Sequence, residues 1–342
     1  MRRGTLRSSV PLGRGGEFDL IRAMLAELPD PAPEARVRIG PGDDCAVLEA
    51  GGDPWAVTVD MSVEDVHFRR AWLDPEEIGW RASTGALSDL AAVAAEPVAV
   101  LVALAMPVPD ASPEWVKAVT RGAAAAASSV GAVVVGGDLT RSSGPVVIDV
   151  AALGRAPHPV LREGSRPGDD LWVTGLLGAA GAAVRAWESG TSPLEAHRRA
   201  FARPVPRVAE ARWLAGTGAV RTLVDLSDGL AGDTGHLAAA SRCGAVLDEA
   251  AIPVAPGVAD AAGGWAEGLR LALSAGEDYE LCLAVEPGGL TMAASEFQAR
   301  FGIPLTRVGR IVEGDGVLLE RADGSGVCGL DGGYSHFGKG TG

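Results

Sequence analysis

Carboxylates stand at the ends of the apolar runs of this chain, and that placement limits how it can fold. Asp43 and Asp44 precede the run 45–48, Asp60 follows 55–59, Asp138 follows Gly136 and Gly137, and Asp225 follows Leu223 and Val224. Asp228 sits three residues later, beside Gly229. The runs have the length and β-branched content of strands. A fold that buries them brings several carboxylates to strand ends. Asp89 is a further case, because it interrupts the small-residue helical pattern Ile78, Ala82, Gly85, Ala86, Leu90 and Val93. A lone carboxylate there is costly unless it is paired or bound to a cation. Taken singly, an Asp beside Gly is ordinarily a turn residue or a helix cap.

The chain of 342 residues, 47% hydrophobic and 22% charged, can bury a real core, and its length suggests about two domains. Its net charge of −14 repels polyphosphate chains and argues against nucleic-acid partners. No run approaches the ~20 apolar residues of a membrane-spanning helix, so no membrane partner is expected. Residues 1–15 are read as a loose leader without the apolar core of a signal peptide, which leaves the cytoplasm as the default location. Cys45, Cys243, Cys282 and Cys328 lie far apart, without a metal or disulfide spacing. Lys117 and Lys339 are the only lysines. A P-loop is therefore impossible, and neither lysine suits a protein-kinase site. Phosphate handling must use metal, arginine or backbone.

Periodicity predicts helices over 16–28, from Asp74-Pro75 towards Pro97, and over 113–129, with strands over 98–105, 132–135 and 146–153. Pro157 and Pro159 punctuate a polar boundary. The same grammar restarts beyond it. Strands are expected over 171–174, 223–225, 279–285, 305–308 and 317–319, and helices over 178–187, 228–241 and 290–301, with two more before Leu223. The mix is α/β or α+β, divided as 16–155 and 156–342, and lacks a clean β-α-β period.

Suppose the carboxylates converge. Two unit charges ~4 Å apart repel by roughly 4 kcal/mol at an effective dielectric near 20, so such a cluster needs cations. Oxygen ligands without a His/Cys set select Mg2+, commonly shared with substrate phosphates. Phosphoryl transfer follows as the expected chemistry. Gly136-Gly137-Asp138-Leu139-Thr140-Arg141 offers backbone N–H groups, a carboxylate and an arginine, or else is a tight turn. Residues 274–280 form a second acidic turn, and His67 lies in the loop after Asp60, whereas His158, His197 and His236 read as structural or exposed.

These residues together resemble the thiamine-monophosphate kinase family. The match comprises Gly42-Asp43-Asp44-Cys45-Ala46-Val47-Leu48, the run 58–68 with Asp60 and His67-Phe68, Leu87-Ser88-Asp89-Leu90, and Gly136-Gly137-Asp138 with Thr140-Arg141. It continues through Arg166-Pro167-Gly168-Asp169, Asp225-Leu226-Ser227-Asp228-Gly229, Gly276-Glu277-Asp278-Tyr279-Glu280, and Tyr334 with His336-Phe337. The resemblance implies ATP-dependent phosphorylation of thiamine phosphate with several Mg2+ ions. It also implies the two-domain fold of aminoimidazole ribonucleotide synthetase, with an N-terminal mixed-sheet domain that forms a homodimer and a C-terminal α/β domain. By the same resemblance Asp44, Thr58, Val59, Asp60, Asp89, Asp138, Asp225 and Asp228 hold metal, with Asp44, Asp89, Asp138 and Asp228 catalytic. Gly137, Asp138, Arg162 and Ser227 contact ATP, and His67, Asp89, Glu277 and Tyr334 contact thiamine phosphate.

The chain departs from the family pattern at Asp65 and Ala94, where Gly is usual, at Ala86 and Leu139, and at Ala275, which replaces the first Gly of a turn. Asp65 adds charge near the substrate loop. Among sister families, selenophosphate synthetases carry a reactive Cys or selenocysteine with a Lys near the N-terminus, and residues 1–42 hold neither. The hydrogenase-maturation relative ends in a functional cysteine, whereas this chain ends Lys339-Gly340-Thr341-Gly342. A silent Mg2+-nucleotide binder is the alternative from another class.

Overall fold

A computed structural model describes residues 16–26, 36–49, 51–108 and 112–330. Tyr334, His336 and Phe337 lie outside the described residues. The first sheet is built from β1 (Val37–Ile39), β2 (Ala46–Leu48), β3 (Trp55–Val63), β4 (Glu96–Met106), β5 (Val133–Arg141) and β6 (Val147–Arg155), in the order β1-β2-β3-β6-β4-β5. All neighbours are antiparallel except β4 and β5. Helices α2 (Pro75–Ala92) and α3 (Pro113–Ser129) cover one face. On the opposite face Val59, Met61, Leu101 and Val133 are 62%, 53%, 39% and 59% exposed.

Helix α2 begins as its sequence dictates. Pro75 takes the first position, the Asp74 side chain accepts from the Glu77 N–H, and the Glu77 side chain accepts from the Asp74 N–H. It ends five residues before Pro97, earlier than the apolar pattern suggests. Ala94 adopts φ +54°, its N–H donates to the Ala91 carbonyl, and the Ala95 N–H donates to the Leu90 carbonyl. That is a Schellman stop built without glycine.

The second sheet takes β7 (Asp170–Thr174), β8 (Val220–Asp225), β9 (Gly244–Asp248), β10 (Leu281–Val285), β11 (Leu305–Val312), β12 (Val317–Glu320) and β13 (Val327–Gly329) in the order β13-β12-β9-β11-β7-β10-β8. β12 and β9 are parallel, and the other pairs antiparallel. Both sheets are mixed, so the fold is α+β. β7 and β10 are buried at every position; β10 is apolar throughout, whereas β7 places Leu171, Trp172 and Val173 between the buried polar ends Asp170 and Thr174, which are paired with Arg307 and Glu280. The halves share their cores. Ala180 and Ala183 of α4 (Ala179–Glu188) and Phe201 of α5 (Glu195–Ala202) pack with the first sheet's core. Ala91 of α2 packs with the second. No helix among the described residues is long and apolar enough to cross a membrane.

Candidate active site

A cleft of about 800 Å³ opens between the halves, lined by Asp60, His67 and Asp89 from the first and by Asp225, Ser227 and Glu277 from the second. Its floor is set by α2 crossing β3. A Cβ on Gly85 would lie 1.8 Å from Asp60 Oδ2, so only glycine lets the helix approach that carboxylate. One helical turn further on, Thr58 Oγ1 of β3 donates to Asp89 Oδ2 (2.5 Å), and Ser88 Oγ donates to Asp225 Oδ2 (2.6 Å) at the end of β8. Adjacent residues of one helix thus tie both sheets together.

Carboxylate oxygens of Asp44, Asp89 and Asp225 lie within 4.8 Å of one another. Arg162 Nε donates to Asp44 Oδ2 (2.8 Å) and its Nη2 to the other oxygen, while its backbone N–H donates to Asp43 Oδ2 (3.1 Å). One guanidinium cannot neutralise the group. Burial, followed by the charges of Asp225, Asp60 and Asp44, raises the Asp89 carboxyl well above its usual range. Burial and the neighbouring Asp44 raise Asp225 to about 7. Burial and Glu277 bring Asp60 to about 6 against the opposing pull of Arg81. Buried oxygen donors that would otherwise protonate are the chemistry of a hard divalent cation, so the residues fit Mg2+.

Asp228 stands near a second group, with oxygens or nitrogens of Asp228, Asp233 and His236 within 4.8 Å. Asp233, on α7 (Leu230–Ala240), accepts from the N–H groups of Asp228 and Gly229 (3.0 and 3.1 Å) and so fixes the loop that carries Asp228. At the far wall, His67 Nδ1 accepts from the Val63 N–H (3.0 Å). A neutral His67 ring therefore carries its proton on Nε2. Glu277 and Tyr279 both adopt left-handed backbone, with φ +66° and +49°. Non-glycine residues persist there only where their surroundings hold them.

Asp44, Thr58, Asp60, Asp89, Asp225 and Arg162 are thus brought together, with Ser227, Asp228, His67 and Glu277 on the same cleft. Gly137 and Asp138 are not. They belong to edge strand β5 rather than to a turn, and three strand spacings, about 14 Å, separate β5 from β3. The register Met61–Asp149–Ala103–Asp138 puts Asp138 on the sheet's open face. Val59, by contrast, lines the cleft, while strand alternation with Thr58 and Asp60 turns its side chain to the open face. Gly137 has a packing reason of its own, since a Cβ there would lie 1.8 Å from the Val102 carbonyl oxygen. Sequence reasoning missed Arg81, Ser88 and Asp233. Only Ser88, next to Asp89, had a signal in the sequence.

The model of AIR synthase related proteins matches this chain in two parts, the N-terminal domain over residues 42–156 and the C-terminal domain over 166–320. A thiamine-monophosphate kinase of Escherichia coli K12 is 34% identical over 339 residues, covering 94% of this chain and 98% of that protein. One from Halobacterium salinarum is 37% identical over 299 residues, covering 86% and 94%. The solved complex of AaThiL with AMPPCP and TMP superposes with a TM-score of 0.77 at 27% identity, covering 95% of this chain and 97% of that one. With both domains matched and relatives at 34% and 37% identity aligned over most of both chains, this chain belongs to the thiamine-monophosphate kinase family.

Proposed function

We propose that this protein transfers the terminal phosphoryl group of ATP to the phosphate of thiamine phosphate, yielding ADP and thiamine diphosphate. The observation that carries the reading is the oxygen-only cluster of Asp44, Asp89 and Asp225, of which Asp89 and Asp225 line a cleft shared by both halves. The names of the relatives, and the AMPPCP and TMP held by AaThiL, support the donor and the acceptor. Asp44, Thr58, Val59, Asp60, Asp89, Asp225 and Asp228 would hold Mg2+. Bound there, the cation neutralises charge on the transferring phosphoryl group. Arg162 and Ser227 would orient ATP. His67 Nε2 would donate to the acceptor, and Glu277 would face the thiamine cation. Tyr334 would stack on its rings. A second copy packed on the open face of the first sheet would form a homodimer and bring Gly137 and Asp138 into use for Mg2+ and ATP.

No general base is required, because a phosphate monoester is largely dianionic near neutral pH. Transfer is direct and in line. The test is ADP release with ATP and Mg2+, comparing thiamine phosphate, free thiamine and aminoimidazole ribonucleotide precursors as acceptors. ADP and thiamine diphosphate formed only with thiamine phosphate support the reading. ATP binding without turnover on any acceptor replaces it with a silent nucleotide binder. Retention of configuration at a chiral γ-phosphorus would overturn direct transfer.

A further inference from the structure

We propose that Arg81 is a positioning residue for the acceptor, a single buried guanidinium that sets the His67 loop and the Glu277 turn against each other across the cleft. Arg81 lies on α2, four residues before Gly85 and eight before Asp89, and is 3% exposed. Its three nitrogens face three separate segments, two through hydrogen bonds and one through an ion pair. Nε donates to the His67 carbonyl (3.3 Å), Nη1 donates to the Phe201 carbonyl (2.7 Å), and Nη2 pairs with the Glu277 carboxylate. The guanidinium also lies over the Phe201 ring, 3.8 Å from its centroid. His67, Phe201 and Glu277 all line the cleft, and Arg81 does not. A group that holds three walls without reaching the cavity acts on a ligand through those walls.

The Glu277 turn depends on such a hold. Its left-handed backbone is pinned by Glu277 N–H to the Ser227 carbonyl (2.8 Å) and Tyr279 N–H to the Leu226 carbonyl (2.9 Å). Those bonds fix the main chain only. The carboxylate is drawn to Arg81, with the Tyr279 hydroxyl also bonded to it, and the same guanidinium holds the loop that presents His67. Lysine at this position keeps the charge and loses the planar fork, so it cannot hold three segments at once. The inference goes one step beyond the functional reading and takes its acceptor, thiamine phosphate, from it.

The experiment uses the full chain with Arg81→Lys, Arg81→Gln, Glu277→Gln and the double variant R81Q/E277Q. Arg81→Lys raises KM for thiamine phosphate about tenfold or more and leaves KM for ATP within about twofold. Arg81→Gln adds much less to the acceptor KM in the Glu277→Gln background than alone, because it acts through that carboxylate. Amide exchange in Arg81→Lys quickens about tenfold in both 63–68 and 276–280, with α7 unchanged. An unchanged acceptor KM, an equal rise in both KM values, or additive effects in the double variant would overturn the proposal. Should the wild-type protein fail to phosphorylate thiamine phosphate, the functional reading falls and exchange alone decides for Arg81. Quickening in both segments upholds it, and no change in either rejects it.

Discussion

At one end of the cleft a carboxylate is balanced within the protein, and at the other several are not. Glu277 faces the buried guanidinium of Arg81, and Asp60, between the two ends, is also drawn down by that charge. Asp44, Asp89 and Asp225 crowd within 4.8 Å of one another, with Arg162 bound to Asp44. The balanced end can hold its geometry unaided, which suits recognition of an organic acceptor. The unbalanced end has the donor set that a divalent cation would neutralise, which suits the proposed phosphate chemistry.

Exchanging the charges at each end tests that contrast, beginning with the largest effect. Asp89→Asn should lower kcat/KM about a thousandfold, roughly 4 kcal/mol of barrier, and abolish saturation by Mg2+. Activity within tenfold of wild type would erase the distinction between the two ends.

Stability against pH is a second handle. Asp225 near 7 and Asp60 near 6 are raised above their unfolded values, so the folded state holds more protons than the unfolded state between about pH 4 and 7. Cation-free protein should therefore lose stability as pH rises through that window. Added Mg2+ should raise the melting temperature at pH 8 and do little at pH 5. A metal-free melting temperature that climbs from pH 5 to pH 8 would contradict the assignment of these raised carboxyls.

The smallest effect compares two left-handed residues. Ala94 stops α2 with φ +54°, and Glu277 carries φ +66° in the cleft. Ala94→Gly should stabilise the protein by about 1 kcal/mol in denaturant titration, since glycine removes the Cβ penalty. Glu277→Gly relieves the same backbone strain but leaves Arg81 buried without its partner, a net loss of about 2 kcal/mol. Equal shifts for the two substitutions would mean that the Arg81 pair contributes nothing.

Much of the element pattern was legible in the sequence. The helix over 113–129 and the capping box at Asp74 follow directly from local rules. Legibility failed where long-range packing chose the conformation. Nothing local signals that Ala94 turns left-handed, so the sequence pattern carries the helix on to Pro97. Gly136 and Gly137 look like a turn, yet they lie inside β5, where Gly137 is demanded by the Val102 carbonyl of the neighbouring strand. Strand β9, buried between β11 and β12, and helix α9 (Trp265–Ser274) escaped notice in Gly- and Ala-rich sequence.

For the site, the sequence alone determined the chemical supply. It provides aspartates at the ends of apolar runs, one aspartate inside a helix, and no lysine fit for phosphate, a combination that calls for a divalent cation. The tertiary structure alone decided which of them act together. Residues 44, 89 and 225 meet because Ser88 and Asp89 bond to opposite sheets, Asp138 is carried away on an edge strand, and Arg81 acquires three partners from segments up to 196 positions distant in sequence. Charge interactions depend on distance through space and on burial, and neither is written in the order of the chain.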